Sequence, residues 1–309
     1  MRIGIDIGGT KIVGGLLDGG SRILDQFRLR SKDHHDAKDI AQSIAHQILE
    51  MLARNGLSFA DVEHFGIGIP GTVDWVKGNI LYSPNLFGQN VPFADMVEEA
   101  LGIRPTIVQD SWAGAYAEYA LGQKKRYSSM MCVTLGTGIG CGIILNGRAY
   151  GGCLGTAGEI GHVSIEKDGR PCSCGRRGCL ETYVSGPAIY RQALERFPQK
   201  LTEACGSEQV FTLADAGDEQ CACLLNECVD RLAFGLAGLI SVVGCATIFI
   251  SGGLSAHEKW MIKPLAERIR QYGYPAWSER FRPVVQRAML GEDAPMIGAA
   301  LLDGKHIRR

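Results

Sequence analysis

Short apolar runs at residues 2–7 (RIGIDI), 12–17 (IVGGLL) and 22–29 (RILDQFRL) are cut apart by glycine turns, the pattern of three short strands. A longer period follows. Ile40, Ile44, Ile48 and Leu52 recur every four residues, one stripe of a helix, with Gly56 as its stop. Residues 64–69 predict a strand ending at Pro70-Gly71, 93–101 a helix and 106–108 a short strand. Asp110 or Ser111 can cap a helix running through Leu121, with Gly122 as its stop. The pattern then repeats. Strands at 130–135 and 141–145 flank a glycine turn, and a long loop covers 147–181. Helices are expected at about 186–197 and 222–242, then a strand at 246–251 ending in Gly252-Gly253. A helix at about 255–271, a strand near 283–287 and a helix near 293–302 close the chain. Alternating strands and helices predict α/β architecture.

One repeat is closer than the rest. GIDIGGTKIVGGLL at 4–17 and VTLGTGIGCGIIL at 133–145 are each strand, Gly/Thr turn, strand. Two such units predict two related halves facing a cleft. The 309 residues suit two domains. The division is placed at residue 120, within 118–124. An N-terminal α/β domain covers 1–120, a C-terminal α/β domain covers 121–292, and a final helix at about 293–309 packs back on the first.

Composition narrows the class. With 46% apolar and 21% charged residues, the chain reads as an ordinary globular protein. A net charge of -1 gives no pull towards nucleic acid or a membrane surface. The start, MRIGIDIGG, lacks the features of a signal peptide. Residues 232–250 come nearest to a membrane span, but Gly235, Gly238, Gly244 and Cys245 interrupt them. The expectation is a cytoplasmic protein, in which eleven cysteines point to metal or packing.

Three glycine turns stand at strand ends. In Asp6-Ile7-Gly8-Gly9-Thr10-Lys11, glycines let backbone N–H groups approach phosphate oxygens. Thr10 adds a hydroxyl, Lys11 a charge, and Asp6 can hold Mg²⁺ through water. Gly136, Thr137, Gly138 and Gly140 offer a second cradle, and Gly252-Gly253 a third point of close approach. One such turn can be a plain hairpin connection; three together point to a nucleotide. None is a Walker A or Rossmann sequence.

His162 precedes Cys172, Cys174 and Cys179, one imidazole and three thiolates, a closed tetrahedral set for structural Zn²⁺. Gly175 and Gly178 let the chain fold back so the sulfurs converge. Cys221, Cys223 and Cys228 repeat the same spacing without glycine, in a helical pattern. Residues two apart on a helix diverge by roughly 200°, so that set reads as packing.

DIGGTK at 6–11, LGTGIG at 135–140 and ISGG at 250–253 resemble the two phosphate motifs and the adenosine motif of the sugar kinase, Hsp70 and actin superfamily. ExGH at 159–162 and CxCGxxGCxE at 172–181 form the most specific signature. With DxGGTK they make the chain similar to the ROK family (repressor, open reading frame, kinase), from the first strand to the final helix.

The resemblance implies two actin-like, ribonuclease H-like α/β domains around a central cleft. It implies ATP-dependent phosphorylation of a hexose, glucose or a relative, at the C6 hydroxyl, with Mg²⁺ and a structural Zn²⁺. It makes Asp110 the catalytic base, where the residues alone favour a helix cap. Gly71, Asn85, Gln109, Glu159, His162 and Glu181 would line the sugar, His162 also ligating zinc. Many members read Asn-Asp-Ala-Asn where this chain has Gln109-Asp110-Ser111-Trp112. The longer Gln109 alters the fit, so N-acetylmannosamine, N-acetylglucosamine, allose and fructose stay open as acceptors. A sugar-binding member without turnover also stays open. The family's repressors carry a helix-turn-helix ahead of the kinase-like part, whereas here the phosphate motif begins at residue 4. Family likeness also suggests a homodimer through the apolar helices after residue 222.

Overall fold

A computed structural model describes residues 1–83, 88–124, 126–202, 206–274 and 282–308. Contacts divide the chain into two compact units. The first is Met1–Ser129, Gly142–Gly158 and Met289–Arg309; the second is Met130–Cys141 and Glu159–Ala288. Where the sequence pattern places crossings at residues 120 and 292, the chain crosses four times, and Gly142–Gly158 belongs with the first unit.

The opening strands are β1 (Arg2–Ile7), β2 (Lys11–Leu17), β3 (Ile23–Arg30) and β4 (His64–Ile69). A separate three-stranded sheet follows: β5 (Thr72–Asp74), β6 (Asn79–Ser83) and β7 (Gly88–Val91). With β8 (Thr106–Gln109), the main sheet runs β3-β2-β1-β4-β8. β1 to β3 form an antiparallel meander, while β4 and β8 run parallel to β1. The helices of this unit are α1 (Ala37–Arg54), α2 (Phe93–Leu101) and α3 (Asp110–Ala117). The stripe of α1 is buried at Ile40, Ile44, Ile48 and Leu52, and the Asp36 side chain caps it through Asp39 N–H.

The second half repeats the plan with β9 (Met130–Leu135), β10 (Ile139–Leu145) and β11 (Arg148–Tyr150). Its helices are α4 (Glu181–Val184), α5 (Gly186–Arg196), α6 (Gly206–Asp215) and α7 (Glu219–Val243). After β12 (Thr247–Ser251) come α8 (Glu258–Met261), α9 (Leu265–Tyr272) and β13 (Val284–Arg287). α10 (Ala294–Leu301) and β14 (Ile307–Arg308) end the chain, and the sheet order is β13-β12-β9-β10-β11-β14. Counted from its first strand, the first sheet reads third, second, first, fourth, fifth, and the second reads the same with its sixth strand, β14, added beside the third. The sequence repeat at 4–17 and 133–145 is therefore a repeat of topology.

Close packing in the first unit needs residues without side chains. A methyl on Gly4 or Gly66 would overlap the backbone of α10 at Met296 or Ala299, and one on Gly298 would overlap Ala113. α10 thus lies directly on β1, β4 and α3, and its Met296 and Ala300 join Val13 and Leu17 in one buried cluster.

Three local expectations differ from the structure. The helix expected over 255–271 breaks into a 3-10 turn at Gly253–Ala256, α8 and α9, with Pro264 at the start of α9. Gly122 does not stop its helix, which runs on as a π-helical segment, Glu118–Gln123. There the buried Glu118 carboxylate accepts the backbone N–H groups of Met289 and Leu290, at 3.0 and 2.6 Å. Strands β5, β6, β7, β11 and β14 and helix α6 had no signal strong enough to read. No helix among the described residues is long and apolar enough to cross a membrane.

Candidate functional site

The first turn, between β1 and β2, is closed by Gly8 N–H donating to the Lys11 carbonyl at 2.8 Å. Ser31 reinforces it, its hydroxyl donating to the Gly8 carbonyl at 2.5 Å and its N–H to the Thr10 carbonyl. Gly9 and Thr10 are exposed at the tip. The Lys11 ammonium is not held for phosphate alone, since it pairs with Glu292 at 2.5 Å. Both groups are exposed, so the pair is cheap to exchange.

Asp6 is the penultimate residue of β1, beside this turn, and Asp110 opens α3 directly after β8. Gly68 of β4 is the register partner of Asp6 and of Val108, so no side chain from that position screens one acid from the other. Burial, reinforced by the negative charge of Asp110 and opposed by Lys11, pushes the Asp6 carboxyl up to about 7. Asp110 is the first residue of α3 rather than its cap; Gln109 holds the cap position without a side-chain cap bond. The Asp110 carboxylate accepts the Ser111 N–H at 2.6 Å. Gln109 is buried and lies in register with Ile69 at the end of β4. Gly71 has φ +110 and backs onto the Tyr82 carbonyl, a place where any side chain would clash. Asn85 lies outside the described residues.

In the second unit, Gly136 N–H donates to the Gly138 carbonyl at 3.0 Å, and the Gly186 N–H holds the Gly136 carbonyl at 2.8 Å. Gly252, at φ +81, abuts the Leu135 backbone. Two of the three glycine points, Gly136–Gly140 and Gly252-Gly253, are therefore brought together around the end of β9. Glu181, at the start of α4, accepts the Ile139 N–H through Oε2 at 3.1 Å.

His162, Cys172, Cys174 and Cys179 converge, their ligating atoms all within 4.8 Å of one another. Among the described residues no other His, Cys, Asp or Glu group does so. Cys172 Sγ lies 3.6 Å from His162 Nδ1, and Cys174 Sγ 3.6 Å from Cys179 Sγ. A Zn–S distance of about 2.3 Å sets a tetrahedral edge of roughly 3.8 Å, so the set fits zinc. Gly175 and Gly178, at φ +85 and +73, make the reversals expected of them. Bridges between Ser164 and Cys179 and between Pro171 and Arg177 close the knuckle. Burial opposes ionisation of Cys174, but hydrogen bonds from the Arg176 backbone and side chain and from the other thiols outweigh it and bring the thiol down to about 6. At Cys179, burial and the neighbouring thiols raise it to about 12. A divalent cation relieves that conflict. Glu159 precedes the 3-10 turn Ile160–His162, and its carbonyl accepts the His162 N–H. Cys221, Cys223 and Cys228 lie along α7, two buried and one exposed, and do not converge.

Sequence reasoning missed Ser31, Gly186 and Glu292. Their partners are distant in the chain, and no local motif marks them.

Two sheets sharing one core strand order, each with a glycine turn between its first two strands, define an actin-like α/β protein. The ROK family model matches residues 2–305. The chain is 30% identical to a glucokinase of Halalkalibacterium halodurans, over 97% of this chain and 94% of that one. A solved ROK hexokinase from Thermus thermophilus superposes with a TM-score of 0.83 at 32% identity, covering 97% and 96% of the two chains. A ROK family glucokinase from Streptomyces griseus, solved with glucose and AMPPNP, gives a TM-score of 0.78 at 31% identity, covering 98% and 99%. The chain belongs to the ROK family.

Proposed function

We propose that the chain is an ATP-dependent hexose kinase acting on the C6 hydroxyl of glucose or a close relative. The observation that carries this is the acid pair: Asp6 and Asp110 close enough to perturb one another, beside a glycine turn. Asp110 takes the proton of the sugar hydroxyl as its oxygen attacks the γ-phosphorus, and the bond from that phosphorus to the bridging oxygen breaks to release ADP. Gly9 and Thr10 in the first turn, and Thr137, Gly138 and Gly140 in the second, suit phosphate oxygens with N–H and hydroxyl groups, while the Gly8 and Gly136 N–H groups close the turns. Lys11 exchanges Glu292 for phosphate, and Gly252-Gly253 leave room for the adenosine. Asp6 suits Mg²⁺, because the charge that burial and Asp110 make costly there is what a divalent cation neutralises. When bound, Mg²⁺ offsets the charge of the phosphates.

Gly71, Gln109, Glu159, His162 and Glu181 shape the sugar site, with carboxylates accepting from hydroxyls. Zinc, held by His162, Cys172, Cys174 and Cys179, keeps the 159–181 segment in shape when bound. The place of action is cytoplasmic. The assembly is a homodimer through α7, where Phe234 and Val242 are exposed and Phe234 meets Tyr272 edge-on.

The test is ADP release with Mg·ATP across a hexose and N-acetylhexosamine panel, beside Asp110→Ala. One sugar should turn over, and the variant should lose about 10²- to 10⁴-fold in kcat. Turnover surviving in Asp110→Ala removes Asp110 as base. No turnover with any sugar, in folded zinc-loaded protein, makes the chain a binding protein.

A further inference from the structure

Ile139 is the first residue of β10, directly after the second phosphate turn. The cysteine knuckle touches it on both sides. The Glu181 carboxylate, two residues beyond Cys179, accepts its N–H at 3.1 Å. Gly161, one residue before His162, lies so close to its carbonyl oxygen that a methyl there would overlap it. A methyl on Gly138, within the turn, would stand 2.7 Å from Glu181 Oε2. The Ser185 N–H donates to the Glu181 carbonyl, and the next residue, Gly186, holds the Gly136 carbonyl. The metal-ligand segment and the turn are thus joined at Gly161, Glu181 and Gly186, all inside the second unit.

From this geometry we infer that Glu181 is a positioning residue for the nucleotide: it transmits the state of the zinc knuckle to the Gly136–Gly140 turn, so losing the metal weakens ATP binding itself, with no sugar present. The inference rests on the kinase reading and deepens it. A knuckle that served only the sugar would leave nucleotide affinity unchanged on stripping. The carboxylate acts through the peptide of Ile139, fixing the direction of the strand that follows the turn.

The experiment is calorimetric titration of Mg·ADP, without sugar, into four proteins: zinc-loaded wild type, chelator-stripped wild type, Glu181→Ala and Glu181→Gln. Zinc content and circular dichroism are measured on each. Stripped protein and Glu181→Ala should bind roughly tenfold more weakly, as expected for losing a hydrogen bond to a charged group. Glu181→Ala should keep its zinc. Glu181→Gln retains an acceptor oxygen and should bind close to wild type. Unchanged affinity in stripped protein or in zinc-loaded Glu181→Ala overturns the coupling, as does equal weakening of Glu181→Gln and Glu181→Ala. If Glu181→Ala does not fold, stripped wild type and Glu181→Gln decide by the same titration. No Mg·ADP binding by zinc-loaded wild type overturns the kinase reading itself.

Discussion

The two glycine turns occupy the same place in sheets of the same order, yet they are held differently. In each, a glutamate from far along the chain engages the first residue of the second strand. Glu292 takes the Lys11 side chain in the first turn, and Glu181 takes the Ile139 N–H in the second. The first bond is exposed and movable; the second fixes the backbone. The acids differ as well. β1 carries Asp6, where the matching position of β9 is Thr134. One copy of the repeat carries Asp6 and Lys11, and the other a brace that adjoins the His162, Cys172, Cys174 and Cys179 cluster. The two turns can differ in this way because the strand–turn–strand geometry does not depend on which side chains flank it.

The largest expected effect breaks the brace. Cys174→Ser should lose zinc and on the order of several kcal/mol of stability, read as bound metal and Tm. Cys223→Ser, on the second cysteine set, should shift stability by less than about 0.5 kcal/mol, because its side chain is exposed and lies outside the convergent cluster.

The acid of the first turn is tested next. The raised carboxyl of Asp6 favours the protonated folded form, so its contribution is fully present below pH 3.8 and is lost as pH rises through about 7. In protein free of nucleotide and magnesium, Asp6→Asn should therefore gain in Tm over wild type as pH climbs from 4 to 7, then level off. The gain is on the order of a few kcal/mol. A constant difference across that range would mean that Asp6 keeps an ordinary carboxyl.

A smaller contrast separates the turns themselves. A methyl on Gly9 meets nothing within 4 Å, whereas one on Gly138 presses on Glu181. Gly9→Ala should raise the KM for ATP with stability unchanged within about 0.5 kcal/mol. Gly138→Ala should raise the KM and also lower stability, by about 1 kcal/mol. The smallest effect is Glu292→Gln. Breaking its exposed pair with Lys11 should cost less than about 1 kcal/mol by urea denaturation and leave the KM for ATP no higher.

Much of the site was legible because its signals are local. Gly175 and Gly178 take the positive φ that a sulfur cluster with that spacing needs, and the glycine-free copy on α7 stays helical. Strands β1, β4 and β9 end where their apolar runs end. The misreadings have an equally physical origin. Gly122 looked like a stop because glycine so often ends a helix. The π-helical turn around it goes with the Glu118 carboxylate holding Met289 and Leu290, more than 160 residues away. Strands of three or four residues, such as β5 and β7, carry too few positions for a period to show.

The order of the longer strands and helices, the repeated turns and the convergent His/Cys set were determined by the sequence itself, because glycine freedom, side-chain period and residue spacing act over a few residues. Which carboxylate perturbs Asp6, which glutamate braces Ile139, and which residues must be glycine so that α10 can lie on the sheet were decided only by tertiary structure. Those contacts join residues 42 or more positions apart, as Glu181 and Ile139 are. Their energies come from burial and charge once the chain has closed, and no local pattern carries that information.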